Sequence, residues 1–138
     1  MRKSGQEIED FVVSHIQELI DNGYITICGS VYAKGERPFN SQAEDCVVSF
    51  LTGDMDQVQE GDVVVNVYVA DVQKTDGSFY PNKTRCLAIE QQLIDLDEML
   101  NELGDIHFTY GGAIYTIEEE SIKQHFVTAQ LHFKYLSV

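Results

Sequence analysis

Basic residues are scarce in this chain of 138 residues, where nine Lys and Arg stand against 23 Asp and Glu. The formal net charge at pH 7 is therefore −14. The imbalance is greatest between Cys86 and Ile122, which contains no Lys or Arg but nine acidic residues: Glu90, Asp95, Asp97, Glu98, Glu102, Asp105, Glu118, Glu119 and Glu120. Because such a stretch repels phosphate groups, it argues against sequence-specific nucleic-acid binding and against an anionic membrane as partner.

Cysteine and long apolar runs are also in short supply. The three cysteines, Cys28, Cys46 and Cys86, are too few and odd in number for a disulfide framework. Cys28 and Cys46 lie in apolar, strand-like runs, so we expect buried free thiols, which suit a reducing cytosol. No apolar segment follows the N-terminal Met-Arg-Lys, and no run approaches the length of a membrane span. We therefore expect a cytoplasmic protein without membrane partners, folded as a single domain over residues 1–138.

Two segments have the apolar spacing of amphipathic helices. The first covers about residues 5–22, where Ser4 and Glu7 form a capping-box pattern and Gly23 can end the helix. The second covers about residues 83–103, and its apolar positions recur every three or four residues at Ile89, Leu93, Leu96, Leu100 and Leu103. The acidic residues fall mostly off this stripe, so the second helix has an acidic wet face.

Six segments rich in β-branched and aromatic residues are predicted as strands, in chain order 24–32, 46–51, 62–70, 106–110, 113–117 and 124–136. The near-continuous apolar run 62–70 indicates a central strand covered on both faces. Gly111-Gly112 predicts a two-residue hairpin, and Asp76-Gly77 predicts a turn in the loop 71–82. The order α-β-β-β-α-β-β-β favours an α+β fold, with a mostly antiparallel sheet and two amphipathic helices packed on it.

Patterns that carry chemistry are missing from the sequence. His125 and His132 lie seven residues apart on one predicted strand and so point to opposite faces, which is typical of half-buried sheet residues and not of a metal site. The acidic segment from Asp54 lacks the Gly and Glu that a calcium loop needs, and glycine-rich phosphate loops and a nucleophile elbow do not occur. We predict no catalytic, cofactor-binding or metal-binding residues, while 23 acids leave a carboxylate-based enzyme site open as an alternative.

The loop 33–45 is the segment that these patterns leave unexplained. It holds a candidate protein–protein contact made of Lys34, Glu36, Arg37, Pro38 and Phe39. Arg and aromatic residues are favoured at the centres of interfaces, and loops carry contacts more often than strands do. The alternative is an ordinary surface loop whose Phe39 folds back on the core.

The chain resembles the tail-terminator and tail-completion proteins of tailed phages in its length, in its element order and in three segments: Tyr32-Ala33-Lys34-Gly35-Glu36-Arg37-Pro38-Phe39-Asn40-Ser41, Glu44-Asp45-Cys46-Val47-Val48, and Phe126-Val127-Thr128-Ala129-Gln130-Leu131-His132-Phe133-Lys134-Tyr135. The resemblance implies an α+β protomer that forms a hexameric ring at the head–tail junction and has no enzyme activity. Its partners would be tail-tube and head-completion proteins, in the bacterial cytoplasm or in the virion tail. No site residue follows from the resemblance, because the group has no residue-level motif to match.

A small acidic adaptor or binding module of unknown partner is the alternative to a ring-forming phage protein. Both functions are non-enzymatic, and oligomeric state separates them. In a ring, acidic residues facing the channel would keep passing DNA from sticking, because like charges repel.

Overall fold

The computed structural model describes residues 1–136, which form an α+β domain with a mostly antiparallel sheet, so the predicted fold class is confirmed. The elements in chain order are α1 (Gly5–Asp21), β1 (Val31–Ala33), β2 (Cys46–Gly53), β3 (Val58–Ala70), β4 (Val72–Gln73), β5 (Phe79–Tyr80), α2 (Lys83–Leu93), α3 (Leu96–Leu103), β6 (His107–Tyr110), β7 (Tyr115–Glu119), a 3₁₀ turn (Glu120–Ile122) and β8 (Gln124–Leu136). No helix within residues 1–136 is long and apolar enough to cross a membrane.

The sheet is built around β3 and β8, which pair antiparallel from Val58 opposite Leu136 to Ala70 opposite Gln124. On one side β2 pairs antiparallel with β3 and β1 joins β2 in parallel, and on the other side both β6 and β7 pair with β8. A strand of 13 residues is roughly 40 Å long. The sheet therefore has two distant ends: the turn end, at the β2–β3 turn of residues 54–57, and the loop end, where β3 stops and β8 starts.

The helices of the described residues pack on one face of this sheet. Their buried side chains are Ile8, Val12, Ile16, Leu19, Cys86, Ile89, Leu93, Leu96 and Leu100. They meet the alternate positions of β3, which are Val63, Val65, Val67 and Val69. Val64, Asn66 and Tyr68 point to the other face, where they are half-buried and where residues 1–136 place no helix. The predicted coverage of both faces of this strand is therefore wrong.

Helix α1 begins and ends as its sequence predicts. The Ser4 hydroxyl accepts from the Glu7 amide and the Glu7 carboxylate accepts from the Ser4 amide, each at 3.2 Å, which completes the capping box. Gly23 has φ 81°, and the next amide, of Tyr24, donates back to the Leu19 carbonyl at 2.9 Å. This end is a Schellman motif, which needs a left-handed residue where the glycine stands.

The predicted strand 24–32 is wrong except at its end, since β1 covers only Val31–Ala33. Upstream of β1, backbone amide and carbonyl groups hydrogen-bond to side chains instead of to a neighbouring strand. The Thr26 amide donates to the Gln92 side chain at 2.6 Å, and the Gln92 amide group donates to the Thr26 carbonyl at 3.2 Å. Because these bonds come from a helix 66 residues away, local β propensity could not reveal them.

The cysteines differ from prediction at one position. Cys28, in this irregular segment, is exposed, which corrects its predicted burial. Cys46 is buried as expected, and burial raises the pKa of its thiol to about 12. Cys86 is also buried, and all three thiols are free.

The second predicted helix is divided into α2 and α3 at Ile94-Asp95. The Tyr110 hydroxyl donates to the Leu93 carbonyl, which would otherwise accept from a backbone amide one turn later. Asp95 then leaves helical geometry, with φ −102° and ψ 15°. The apolar stripe continues across the break, because Leu96 still faces the core. The apolar spacing therefore predicted one continuous helix and gave no sign of the break.

The hairpin predicted around Gly111-Gly112 is also wrong, because β6 and β7 pair with β8 instead of with each other. Their ladders run along one edge of β8, opposite residues 131–134 and then 124–128. Type I′ and II′ hairpin turns need positive φ, which neither glycine has. The two segments act as one edge strand interrupted at residues 111–114.

Two strands, β2 and β3, are longer than predicted, and β8 has its predicted bounds. Strand β8 covers the predicted residues 124–136, whereas β3 starts at Val58 and therefore replaces part of the connection predicted over 53–61. Strand β2 runs two residues beyond its predicted end. The predicted loop 71–82 contains the small hairpin β4–β5, whose turn includes Gly77 with φ 89°.

Candidate interaction surface

Arg37 holds the base of the loop between β1 and β2. Its Nε lies 3.0 Å from Asp45 Oδ2, and its Nη2 donates to Gln124 Oε1 at 2.9 Å and to two loop carbonyls at 3.2 and 3.3 Å. The guanidinium carbon lies 4.0 Å from the centroid of the Tyr68 ring. Because the side chain is only 13% exposed, Arg37 ties the loop to the open face of the sheet and is not available to a partner.

Asp45 is the acceptor at the centre of this network and is 2% exposed. Its carboxylate accepts from the Ser30 amide at 3.0 Å, from the Ser41 hydroxyl and from Arg37. Burial alone would raise the pKa of Asp45, but these hydrogen bonds and the Arg37 charge together lower it. Gly29 makes room, because a Cβ there would stand 2.3 Å from Asp45 Oδ1.

The tip of the loop is a β-turn over residues 38–41. The Ser41 amide donates to the Pro38 carbonyl at 3.2 Å, and Phe39 occupies the second position. The Phe39 side chain is 92% exposed, so it does not fold back on the core as the alternative supposed. A bare aromatic ring on a tip whose base is held by an internal ion pair is well placed to enter a pocket on a partner.

Most of the five residues predicted to form the interface lie on the surface. Those exposed are Lys34, Glu36, Pro38 and Phe39. Arg37 is the exception, because its charge is used inside the loop. The sequence could not distinguish these roles, since Asp45 and Gln124 become its partners only in the folded chain.

The open face of the sheet carries a mixed apolar and polar surface next to this loop. Its half-buried side chains include Val47, Ser49, Val64, Asn66, Tyr68 and Phe126. The Tyr68 and Phe126 rings lie 5.3 Å apart between centroids. Within residues 1–136, the buried Asn66 Oδ1 has no hydrogen-bond partner. This face is therefore a second surface on which a partner could pack.

The β4–β5 hairpin adds an aromatic pair at the loop end, which the sequence analysis did not identify. Phe79 and Tyr80 are each 42% exposed. The Lys74 ammonium lies 5.4 Å from the Tyr80 centroid, and the Lys123 ammonium lies 6.0 Å from that of Phe79. The turn signal Asp76-Gly77, between Val72 and the aromatic pair Phe79-Tyr80, could have predicted this hairpin.

The strand histidines contact carboxylates and do not cluster. His125 Nδ1 lies 2.6 Å from Asp71 Oδ1, whereas His132 lies 3.2 Å from Asp62 and 3.4 Å from Glu60. Their positions on opposite faces agree with the sequence interpretation. In the part of the chain that the structure describes, no three His, Cys, Asp or Glu side chains are grouped as metal ligands.

A cleft of about 360 Å³ beside α2 brings together Cys86, Glu90, Thr116 and His125. With Asp71 bonded to His125, these are the residue types of a nucleophilic cysteine site. Burial, followed by the charges of Glu90 and Asp71, raises the pKa of the Cys86 thiol. A nucleophilic cysteine needs the opposite shift, so the cleft does not favour covalent catalysis.

Three carboxyl groups, those of Glu44, Asp45 and Asp76, have a pKa lowered from the ordinary value. For Glu44, burial acts to raise the pKa, but the hydrogen bonds from Arg85 and Cys28 and the charge of Arg85 together lower it. A carboxylic general acid needs a raised pKa, so these three carboxyl groups are not suited to that role.

Comparison with known proteins identifies no family for this chain. Neither a protein-family model nor a curated protein sequence matches it. The anchored loop, the open sheet face and the aromatic hairpin are therefore the features from which a role can be argued.

Proposed function

We propose that this protein is a phage or prophage structural protein, which forms a ring at the head–tail junction and terminates or completes the tail. The observation that supports this best is the 92% exposed ring of Phe39 on a turn whose base is held by the Arg37–Asp45 pair. Such a tip loses little conformational freedom on binding, which makes more of its contact energy available for affinity. Neighbouring copies, tail-tube protein and head-completion protein are the proposed partners.

The layout and charge of the chain are compatible with this role. The α+β order resembles that of tail-terminator and tail-completion proteins, and the net charge of −14 suits a channel through which DNA passes without sticking. We propose that the protein acts in the bacterial cytoplasm during assembly, or in the virion tail.

A non-enzymatic adaptor is the second candidate, and the open face of the sheet favours it. This face carries Tyr68, Phe126 and Asn66 Oδ1, which has no hydrogen-bond partner within residues 1–136, and a single partner could cover all three. An adaptor would be a monomer or dimer on its own, whereas the ring protein associates into larger closed assemblies.

Sedimentation velocity on the wild type, Phe39→Ser and a control, Tyr24→Ser, tests the proposed role of the loop. Tyr24 is 67% exposed at the end of α1, so its loss removes an aromatic ring outside the loop. We expect Phe39→Ser to weaken self-association at least tenfold, equivalent to about 1.4 kcal/mol, while Tyr24→Ser assembles like wild type. Both substitutions should leave the free energy of unfolding within about 0.5 kcal/mol of wild type. Equal assembly of all three proteins would show that the Phe39 loop takes no part in self-association.

A further inference from the structure

The loop end of the sheet holds a positively charged cleft of about 550 Å³ between the β4–β5 hairpin and the start of α2. Val72, Tyr80 and Pro81 form an apolar wall of the cleft. Lys74 and Lys83 give it two positive charges. No acidic residue is among the described residues that line it. In a chain with 23 acids and nine bases, this cleft is suited to an acidic ligand with an apolar side chain.

Two lysines supply the positive charge of the cleft. Neither Lys74 nor Lys83 forms an ion pair within residues 1–136. The nearby Asp76 carboxylate accepts from the Ser78 amide at 2.9 Å and from the Ser78 hydroxyl at 2.6 Å. Both hydrogen bonds lie within the turn of the hairpin. The adjacent cleft is different, because there three carboxylates surround the single Lys123.

The turn end carries a segment with the complementary chemistry. The β2–β3 turn presents Asp54-Met55-Asp56, and the Met55 side chain is 54% exposed between its two acidic neighbours. Asp54 shapes the turn, since its Oδ1 accepts from the Glu60 amide at 3.2 Å. Exposed apolar side chains continue beside the turn at Leu51, Val58 and Leu136.

We propose that the β2–β3 turn of one copy docks in the loop-end cleft of the next copy. Met55 would pack on the apolar wall, while the acidic β2–β3 turn faces Lys74 and Lys83. This opposition of charge is what allows copies with a net charge of −14 to approach each other. The inference rests on the proposed ring function, because it adds a second contact between neighbouring copies to the one proposed for the Phe39 loop.

A contact of this kind is heterologous, which is the geometry that a ring requires. The turn and the cleft lie at opposite ends of β3 and β8, roughly 40 Å apart, so one protomer offers both without blocking either. Head-to-tail contacts propagate and close into a ring when the rotation between copies allows it. A two-fold contact would bury the same patch on both copies and stop at a dimer.

Two variants that each disable one side of the contact test this arrangement by light scattering. Met55→Asp removes the apolar side chain of the turn and leaves the cleft unchanged. Lys83→Glu reverses one of the two charges of the cleft and leaves the turn unchanged. We expect each variant alone to be monomeric and an equimolar mixture to form a one-to-one dimer, because one intact turn then meets one intact cleft. Lys83→Glu also places an acid in the first turn of α2, which now has none, so the helix should be stabilised and thermal melting should show a folded protein.

The remaining outcomes each overturn a defined part of the account. If the wild type forms rings and either variant still does, the docking is wrong while the proposed function stands. A mixture that stays monomeric overturns the head-to-tail pairing of these two sites. If Lys83→Glu assembles normally but loses binding to tail-tube protein, the cleft takes that partner instead of a second copy. A wild type that is monomeric under all conditions overturns both the docking and the ring.

Discussion

At the scale of single residues, the loop depends on Asp45, which is 2% exposed. Its carboxylate accepts hydrogen bonds from the Ser30 amide, the Ser41 hydroxyl and the Arg37 guanidinium. Arg37 was predicted to be a contact residue because Arg is favoured at the centres of interfaces and loops often carry contacts. Its actual partners are eight and 87 residues away, and local pattern cannot specify such pairs. Phe39 was chosen as a candidate because no local apolar residue was available to cover it; its side chain is 92% exposed, and its role as a contact stays a prediction.

Replacing Asp45 by Asn should destabilise the protein by about 3 kcal/mol, because it leaves the Arg37 charge without its partner in a mostly buried site. Urea denaturation at pH 7 measures the change in the free energy of unfolding. Asp76→Asn is the matched control, since Asp76 also accepts hydrogen bonds but is fully exposed. Similar small effects of both substitutions would contradict the central role of Asp45.

The lowered pKa of Asp45 also gives the sign of the pH dependence. A carboxyl whose folded-state pKa lies below the unfolded value, ordinarily about 3.9, stabilises the fold at higher pH. This stabilisation is lost as the pH falls through the folded-state pKa. Unfolding measured from pH 7 down to pH 2 should therefore lose less stability in Asp45→Asn than in wild type. An equal loss of unfolding free energy between pH 7 and pH 2 in the two proteins would contradict this assignment.

At the scale of elements, local signals succeeded where they were sufficient. The capping box of α1 and the alternation of β8 each depend on neighbouring residues, and both elements have their predicted bounds to within one residue. The division of the second helix, the path of residues 24–30 and the pairing of β6 and β7 depend on contacts between distant segments. These are the places where the fold departs from the sequence prediction, because tertiary hydrogen bonds override propensity.

The break between α2 and α3 can be tested with Tyr110→Phe. Burial, followed by the nearby charge of Asp97, raises the pKa of the Tyr110 hydroxyl to about 12, so at neutral pH it remains the donor to the Leu93 carbonyl. Its removal should cost about 1 kcal/mol of unfolding free energy and speed hydrogen exchange around residues 94–97. Tyr115→Phe is the control, because Tyr115 is more than half exposed. Unchanged exchange in Tyr110→Phe would show that the break has another cause.

At the scale of the whole molecule, the asymmetry between the two ends of the sheet matters more than the total charge. The excess of acids was evident from composition, and most of those between Cys86 and Ile122 lie on or beside helices α2 and α3. The local concentration of Lys74 and Lys83 in one cleft could not be foreseen, because it depends on how the β4–β5 hairpin folds against α2. The α+β fold was predicted from the sequence and is confirmed, whereas the ring and its phage partners stay predictions.

The mass of the wild-type assembly is the most direct test of the proposed function. Multi-angle light scattering should be recorded over a hundredfold range of concentration, alone and with tail-tube protein. A closed ring predicts a plateau at an integer multiple of the 15.6 kDa protomer mass, six in the arrangement that the resemblance implies. A mass of 15.6 kDa at every concentration, with and without tail-tube protein, would contradict the ring and favour the adaptor.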